Sequence, residues 1–278
     1  MRRPGAWFET ARELRRSGVA ILGLLLVVMF GLMALSHPVL MDRVWPTGVY
    51  DPMTGYDLEI LHPSAPSSAH LLGTDNLGRD VLSMLLAATR PTWILSIVAA
   101  LTTALVATVV SAIGAARRGW LDQVLSHVSD ALLLLPAPIF MLVIGTGPLS
   151  RDIGPLTFGL IYGFIAGMGG GAIVLRSYAS TIMVRPFIDA ARVAGASDAR
   201  IVTRHLIPHL LPLAAVFMLL SVAGAVVADG FVSFLGQTGT RLSWGTMVYF
   251  GTTFRDPLTG AVAWNALVPP AVALTLFS

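Results

Sequence analysis

Residues 205–228 read HLIPHLLPLAAVFMLLSVAGAVVA, a run of 24 residues without Asp, Glu, Lys or Arg. A helix rises about 1.5 Å per residue, so this run outreaches the roughly 30 Å hydrocarbon core of a bilayer. Five further charge-free windows flank it in sequence: 17–41, 91–116, 131–150, 153–175 and 257–278, of 25, 26, 20, 23 and 22 residues. Of 278 residues, 55% are hydrophobic and 12% charged, against about 25% charged in an ordinary soluble domain. Soluble, nucleic-acid-binding and disordered readings are excluded. The expectation is an all-α polytopic membrane protein with six transmembrane helices.

Two absences narrow the chemistry. The chain has no cysteine, so disulfides, thiolate nucleophiles and Cys-ligated metals are out. It also has no lysine; all 18 basic residues are arginine. A phosphate-binding loop of the G-x-x-x-x-G-K-[ST] type needs a lysine on the nucleotide phosphates, so this chain carries none.

The first window follows a basic segment (Arg2, Arg3, Arg12, Arg15, Arg16). Its apolar run from Val19 to Leu35 exceeds the usual 7–15 residues of a signal peptide and no A-x-A site follows, so a retained anchor is expected. With the N-terminus inside and sides alternating, segments 1–16, 117–130 and 176–204 hold twelve arginines and six acids. The outer segments 42–90, 151–152 and 229–256 hold six arginines and nine acids. That asymmetry obeys the positive-inside rule and brings the C-terminus back to the cytoplasm.

Residues 37–90 form a long outer loop, rich in Pro, Ser, Tyr and Asp before Asp75 and read as an amphipathic surface helix from Asp75 to Arg90. Residues 229–257 form a second outer loop with Phe231, Phe234, Trp244, Tyr249, Phe250 and Phe254. Two readings of these aromatics stand: an interfacial belt, or a substrate gate or docking surface. Pro136, Pro138, Pro208, Pro212, Pro269 and Pro270 punctuate the windows, each removing a helix hydrogen bond. Gly163, Gly167 and Gly171 give two overlapping G-x-x-x-G spacings in the fourth. Close helix packing and a part in opening a pathway both fit such residues. None of the windows holds a charged interior, where ion-coupled carriers place ionisable residues. His209 lies near a membrane boundary, and His37, His62 and His70 stand 25 and 8 residues apart, which makes no local metal site. Energy for any transport is therefore expected to come from elsewhere.

Its expected entry point is the segment between the fourth and fifth windows, RSYASTIMVRPFIDAARVAGASDARIVTRHLIPHLLP, Arg176 to Pro212. Pro186 opens a helix that Phe187–Ala194 continues and Gly195 breaks; Ser197 or Asp198 caps a second helix running through Ile201. Arg192, Arg200 and Arg204 face the cytoplasm in this reading.

Within that segment, Asp189-Ala190-Ala191, then Gly195, then Ile207-Pro208 resembles the EAA loop (E-A-A-x3-G-x9-I-x-L-P) of bacterial ABC importer permeases. Asp189 departs from the usual Glu, and His205 from the usual Ile, although His is familiar there in the peptide/nickel branch. Gly73-Thr74-Asp75-Asn76-Leu77-Gly78-Arg79-Asp80-Val81-Leu82-Ser83 is similar to the GTDxLGRDVLS signature of the C-type dipeptide/oligopeptide permeases. Ser233-Phe234-Leu235-Gly236 and Ser243-Trp244-Gly245-x-Met247 resemble that family's SFLG…SWG pair, and Asp130 and Pro136 its third-span entry. The resemblance covers nearly the whole chain, with its motifs in order.

That resemblance implies a type I ABC importer permease with a MetI-like core and both ends inside. Residues 1–36 would be the cytoplasmic N-terminus and first transmembrane helix, and 37–90 the extracytoplasmic loop. The core would be 91–278, with spans at about 92–116, 131–148, 153–175, 206–228 and 258–278 and a cytoplasmic coupling loop at 176–205. Asp189, Ala190, Ala191, Gly195, Ala196, Ser197, Arg200 and Pro208 would couple to ATPase subunits; Gly73, Thr74, Asp75, Gly78, Arg79 and Asp80 would form the outer-loop motif. The implied partners are a B-type permease, two ATP-binding cassette ATPases that hold ATP and Mg, a solute-binding lipoprotein, membrane lipid and a peptide solute. Nickel or another small solute is the alternative cargo, and a stand-alone channel or secondary carrier the remote one. Family members usually carry a polar tail beyond the last span, where this sequence stops at Ser278.

Overall fold

A computed structural model describes residues 18–117, 119–146, 153–235, 241–256 and 259–277. The expectations placed on Arg2, Arg3, Arg12, Arg15, Arg16, segment 151–152, Gly236 and Ser278 lie outside these residues. The described residues are helical, with a single isolated bridge (Thr74 with Asp80) and no strand. They fall into two compact units, one of described residues 18–93 and 250–277, the other of described residues 94–249.

In the first unit, α1 (Gly18–Arg43) is followed by a single turn, α2 (Thr47–Tyr50), and an irregular stretch to Asp80. α3 (Val81–Ala116) then starts without the separate surface helix expected over Asp75–Arg90. Asp80 caps α3, its Oδ1 accepting from Ser83 N at 2.6 Å. Val81, Met84, Leu85 and Ala88 are buried, so the first turns are interior and the helix runs on through Pro91 for 36 residues. α12 (Trp264–Phe277) packs on α1, with Phe30 and Phe277 edge to face at 4.9 Å.

In the second unit, α4 (Trp120–Leu134) and α5 (Ala137–Thr146) meet at an 82° bend. The third window, expected as a span over 131–148, is therefore a bent pair. Leu135 is extended and Pro136 brings no backbone N–H, which ends α4 there. α6 (Pro155–Ala166) passes through a π-turn (Gly167–Gly171) into α7 (Ala172–Met183). α8 (Pro186–Val193), α9 (Asp198–Ile201), a second π-turn (Val202–Leu206), α10 (Ile207–Phe234) and the start of α11 (Trp244–Thr253) complete it.

Among the described residues, four helical stretches are long and apolar enough to cross a membrane: Ile21–Arg43, Val81–Ala116, Pro155–Met183 and Asp198–Phe234. A fifth is reached if the bent pair counts as one. α12 has 14 residues, roughly 21 Å of helix, short of the hydrocarbon thickness. The architecture is a multi-pass helical membrane protein with four to five such spans.

The glycine spacing has a packing explanation. A Cβ on Gly159 would meet Leu95 O at 2.6 Å, on Gly163 Ala99 O at 2.6 Å, and on Gly167 Thr103 O at 2.9 Å. On Gly171 it would meet Ala107 Cβ at 2.9 Å, so four glycines at a four-residue period lie along one face of α3. Thr103 Oγ1 donates to Gly163 O at 3.2 Å and Ser111 Oγ to Ala172 O at 3.1 Å along the same seam. Gly169 alone leaves helical geometry (φ −77°, ψ −111°) and makes the break inside the π-turn. Gly163→Ala forces a methyl into backbone atoms of α3 and is expected to cost about 1–3 kcal/mol. A lowered melting temperature of the purified membrane protein is the measurement; an unchanged one would refute the close approach.

Candidate functional site

The segment after α7 is built as the sequence leads one to expect. Arg185 is extended, Pro186 takes the first helical position and α8 follows. Gly195 N–H donates to Arg192 O at 2.9 Å and Ala196 N–H to Ala191 O at 3.0 Å. This pair of bonds is a Schellman closure, which needs a left-handed residue at its turn. Gly195 supplies it with φ +81°. Ser197 then caps α9, its Oγ accepting from Arg200 N at 3.4 Å.

The inner faces of the two helices are anchored. Ile188, Ile201, Leu206 and Leu210 are fully buried with Leu175, Ala179 and Ile182 of α7 and Ala112 and Ala115 of α3. Ala191 and Ala196 are half-buried against this cluster, so they face the protein interior. Asp189, Ala190, Gly195, Ser197 and Arg200 are exposed, and Pro208 is half-buried. Asp189 pairs with Arg192 at 3.1 Å across an exposed helix turn, worth little in stability. Val193, which the motif reading passed over, is 91% exposed at the end of α8. A cleft of about 330 Å³ runs beside α8, lined by Ala115, Ala116, Met183, Val184, Asp189 and Arg192. Phe187 stacks on His209 at 5.6 Å and tilts against His205 at 6.2 Å, and His209 Nδ1 lies 2.6 Å from the backbone His205 O.

The GTD motif, Gly73 to Asp80, closes on itself. Asp75 Oδ1 accepts from Leu77 N at 3.0 Å and Arg79 N at 2.8 Å. Its Oδ2 accepts from Arg79 Nε at 2.8 Å, and the pair is buried. The Arg79 guanidinium also lies 4.4 Å over the Phe250 ring. Thr74 Oγ1 is 2.8 Å from His62 Nδ1 and accepts from Ser64 N at 2.8 Å. Asp80 Oδ2 is 2.8 Å from His70 Nδ1, whose other ring nitrogen is 3.2 Å from Asp57. Gly73 and Gly78 have φ of +76° and +83°, with Gly78 pressed on the Tyr56 ring.

Asn265 of α12, unnoticed in the sequence, donates from Nδ2 toward Ser64 O, Leu72 O and Thr74 O at 3.1, 3.3 and 2.9 Å. Asn76 Nδ2 donates to Phe254 O. The motif and the loop that carries it are thus fastened to Phe250, Phe254 and Asn265. Hydrogen bonds hold two neighbouring carboxyls below the usual carboxylate range. At Asp51 burial pushes upward, but donors from Met53 and Thr54 outweigh it; at Asp57 the Glu59 N–H and His70 act together.

The SFLG and SWG elements also meet. Ser243 Oγ donates to Ser233 Oγ at 2.8 Å, Trp244 is fully buried, and a Cβ on Gly245 would meet Gly230 O at 2.5 Å. Two charged pairs escaped the sequence reading: Asp122 with Arg176 at 3.3 Å, and Asp229 with Arg241. The sequence alone places Asp229 in an outer loop; the structure puts it inside α10, buried. Its signal was an acid directly ending an apolar run with an arginine twelve residues on.

Residues 104–278 match the family described as "Binding-protein-dependent transport system inner membrane component". A Brucella suis protein named for a peptide transport system permease is 32% identical over 275 residues, covering 96% of this chain and 84% of that protein. The Bacillus subtilis oligopeptide transport system permease protein OppC is 25% identical over 274 residues, covering 98% and 84%. The Pectobacterium atrosepticum glutathione transport system permease protein GsiD is 27% identical over 248 residues, covering 87% and 77%. With its motifs in place and more than half its length matched, the chain belongs to the binding-protein-dependent inner membrane components: it is a permease subunit of an ATP-binding-cassette importer.

Proposed function

We propose that this chain forms half of the pathway of a bacterial importer for di- and oligopeptides, driven by ATP hydrolysis on separate subunits. The observation that carries the reading is α8: an exposed helix whose inner residue Ile188 is locked to the ends of long membrane helices. A partner pressing on Asp189, Ala190, Arg192 and Val193 moves those helices with it, because a packed core transmits displacement rather than absorbing it. Two ATP-binding cassette ATPases, holding ATP and Mg, are the fitting partners on this face, one of them meeting the exposed residues of α8. This chain contributes the non-catalytic membrane part. A B-type permease would supply the other half, and a solute-binding lipoprotein would deliver peptide at the outer loop. The peptide cargo is supported by the names of the relatives.

In this reading the chain lies in the plasma membrane with six passes and both ends cytoplasmic. Reconstituted with its permease partner, ATPases and binding protein, the complex is expected to take up dipeptide only with ATP; uptake by the single chain without ATPases would sink the reading. A cysteine at Ser67 is expected to react with an impermeant thiol reagent in intact cells, and one at Ser197 to be protected. Labelling in the reverse order would overturn the orientation.

A further inference from the structure

Arg241 has more hydrogen-bonding capacity than the described residues satisfy. One guanidinium nitrogen, Nη2, donates to Asp229 Oδ1, and Asp229 is 2% exposed within α10. Nε and Nη1 are buried and find no acceptor among the described residues. The guanidinium lies over the Phe158 ring, 5.4 Å from its centroid, and Phe158 is also 2% exposed. Folded proteins pair the large majority of their buried polar groups, and an unmet donor on a charged group is among the costliest exceptions.

This placement is held, not incidental. The Ser243–Ser233 hydrogen bond, buried Trp244 and the close contact of Gly245 with Gly230 pin the residues just after Arg241 onto α10, beside Asp229. Asp229 ends the apolar run of a membrane-crossing helix, and an ionisable residue in such a place is a functional candidate. A guanidinium with one donor committed and others free suits a planar anion, with carboxylate the commonest partner. A carboxylate alone would leave the pair with an extra negative charge in apolar surroundings. A solute bearing both a carboxylate and an ammonium avoids this: one ion pair becomes two, and the site stays neutral throughout.

We propose that Asp229 and Arg241 form a site for the termini of a passing peptide, Arg241 taking the carboxylate and Asp229 the ammonium. Their mutual ion pair closes the site between transport events. This inference rests on the peptide reading given above.

The test uses the complete reconstituted importer and two probes, alanyl-alanine and its C-terminal amide. Affinities of the binding protein for both probes are measured separately and divided out of the uptake rates. Wild type is expected to favour the free acid. Arg241→Gln is expected to lower acid uptake about tenfold, the loss of one charge-assisted hydrogen bond, and to bring the acid-to-amide ratio toward one. Arg241→Lys keeps a cation for Asp229 and therefore assembly, yet has no spare fork; its ratio is expected to fall as well. If Arg241→Gln does not assemble, the lysine variant decides. A wild-type ratio retained in the assembled variants, with peptide still taken up, overturns this site and leaves the peptide reading standing. A wild-type complex that moves another solute but neither dipeptide overturns both.

Discussion

Gly195→Val is expected to leave the permease in the membrane at its normal level and to abolish ATP-driven uptake. Gly195 has φ +81°, and nothing lies within 4 Å of a Cβ built on it. The damage is therefore in the backbone and not in a clash. A left-handed conformation costs an ordinary L-residue about 1–2 kcal/mol, and a β-branched one more. Relief of that strain opens the two bonds that close the turn, Gly195 N–H to Arg192 O and Ala196 N–H to Ala191 O. α8 then keeps its buried Ile188 but loses its fixed angle to α9, so a push on its exposed face is dissipated. Gly195→Asn, whose side chain tolerates the left-handed region, is expected to retain most of the uptake. The measurements are peptide uptake and ATP turnover, both normalised to membrane level. The binding protein's affinity for peptide is expected to stay unchanged, since that event occurs on another protein. Wild-type uptake by Gly195→Val at normal level would overturn the assignment of residues 189–208 as the coupling element.

Local signals in this chain were the legible ones. Pro186, Gly195 and Ser197 each restrict a backbone angle or cap a helix within a few residues, and the helix–turn–helix they foretell is the one observed. The G-x-x-x-G spacing likewise predicts close approach without knowledge of its partner, and α3 proves to be that partner. Charge-free windows mark apolar runs but not helix ends. α3 begins at Val81, ten residues before its window, because Asp80 caps it and Val81 and Met84 are buried. α10 likewise holds Asp229 inside its last turns because Arg241 neutralises it from twelve residues away. Contacts between residues far apart in sequence left no trace at all. Asn265 reaches back about 190–200 residues to three carbonyls, and as a lone amide in an apolar window it carried no pattern. The bend at Pro136 shows a third limit: the proline was visible, but its effect, an 82° turn, depends on what packs around it.

Arg79→Ala is expected to unfold the loop that precedes α3 and destabilise the importer complex, at a cost of about 3–5 kcal/mol, the price of stranding a buried charge. Asp75 is 5% exposed and Arg79 4%, and each is the other's charged partner. Truncating Arg79 leaves the Asp75 carboxylate with only the amides of Leu77 and residue 79, and strips the cation from the Phe250 ring. The Asp75–Arg79 turn also sets the Thr74 carbonyl that Asn265 grips, so its loss propagates to α12. Two roles for this motif compete: a rim that touches solute or binding protein, and a fastener inside the fold. The geometry supports the fastener, because Thr74, Asp75, Arg79 and Asp80 direct their polar atoms to partners within this unit. Limited proteolysis of the purified complex distinguishes them. A fastener predicts new cleavage between residues 51 and 80 and a complex that dissociates in detergent, with cleavage near Ser197 unchanged. A variant that keeps the wild-type melting temperature and proteolytic pattern while losing uptake would make the motif a rim. Arg79→Lys is expected to fall between the two, since it restores the charge over Phe250 but supplies a single ammonium where Asp75 meets a fork.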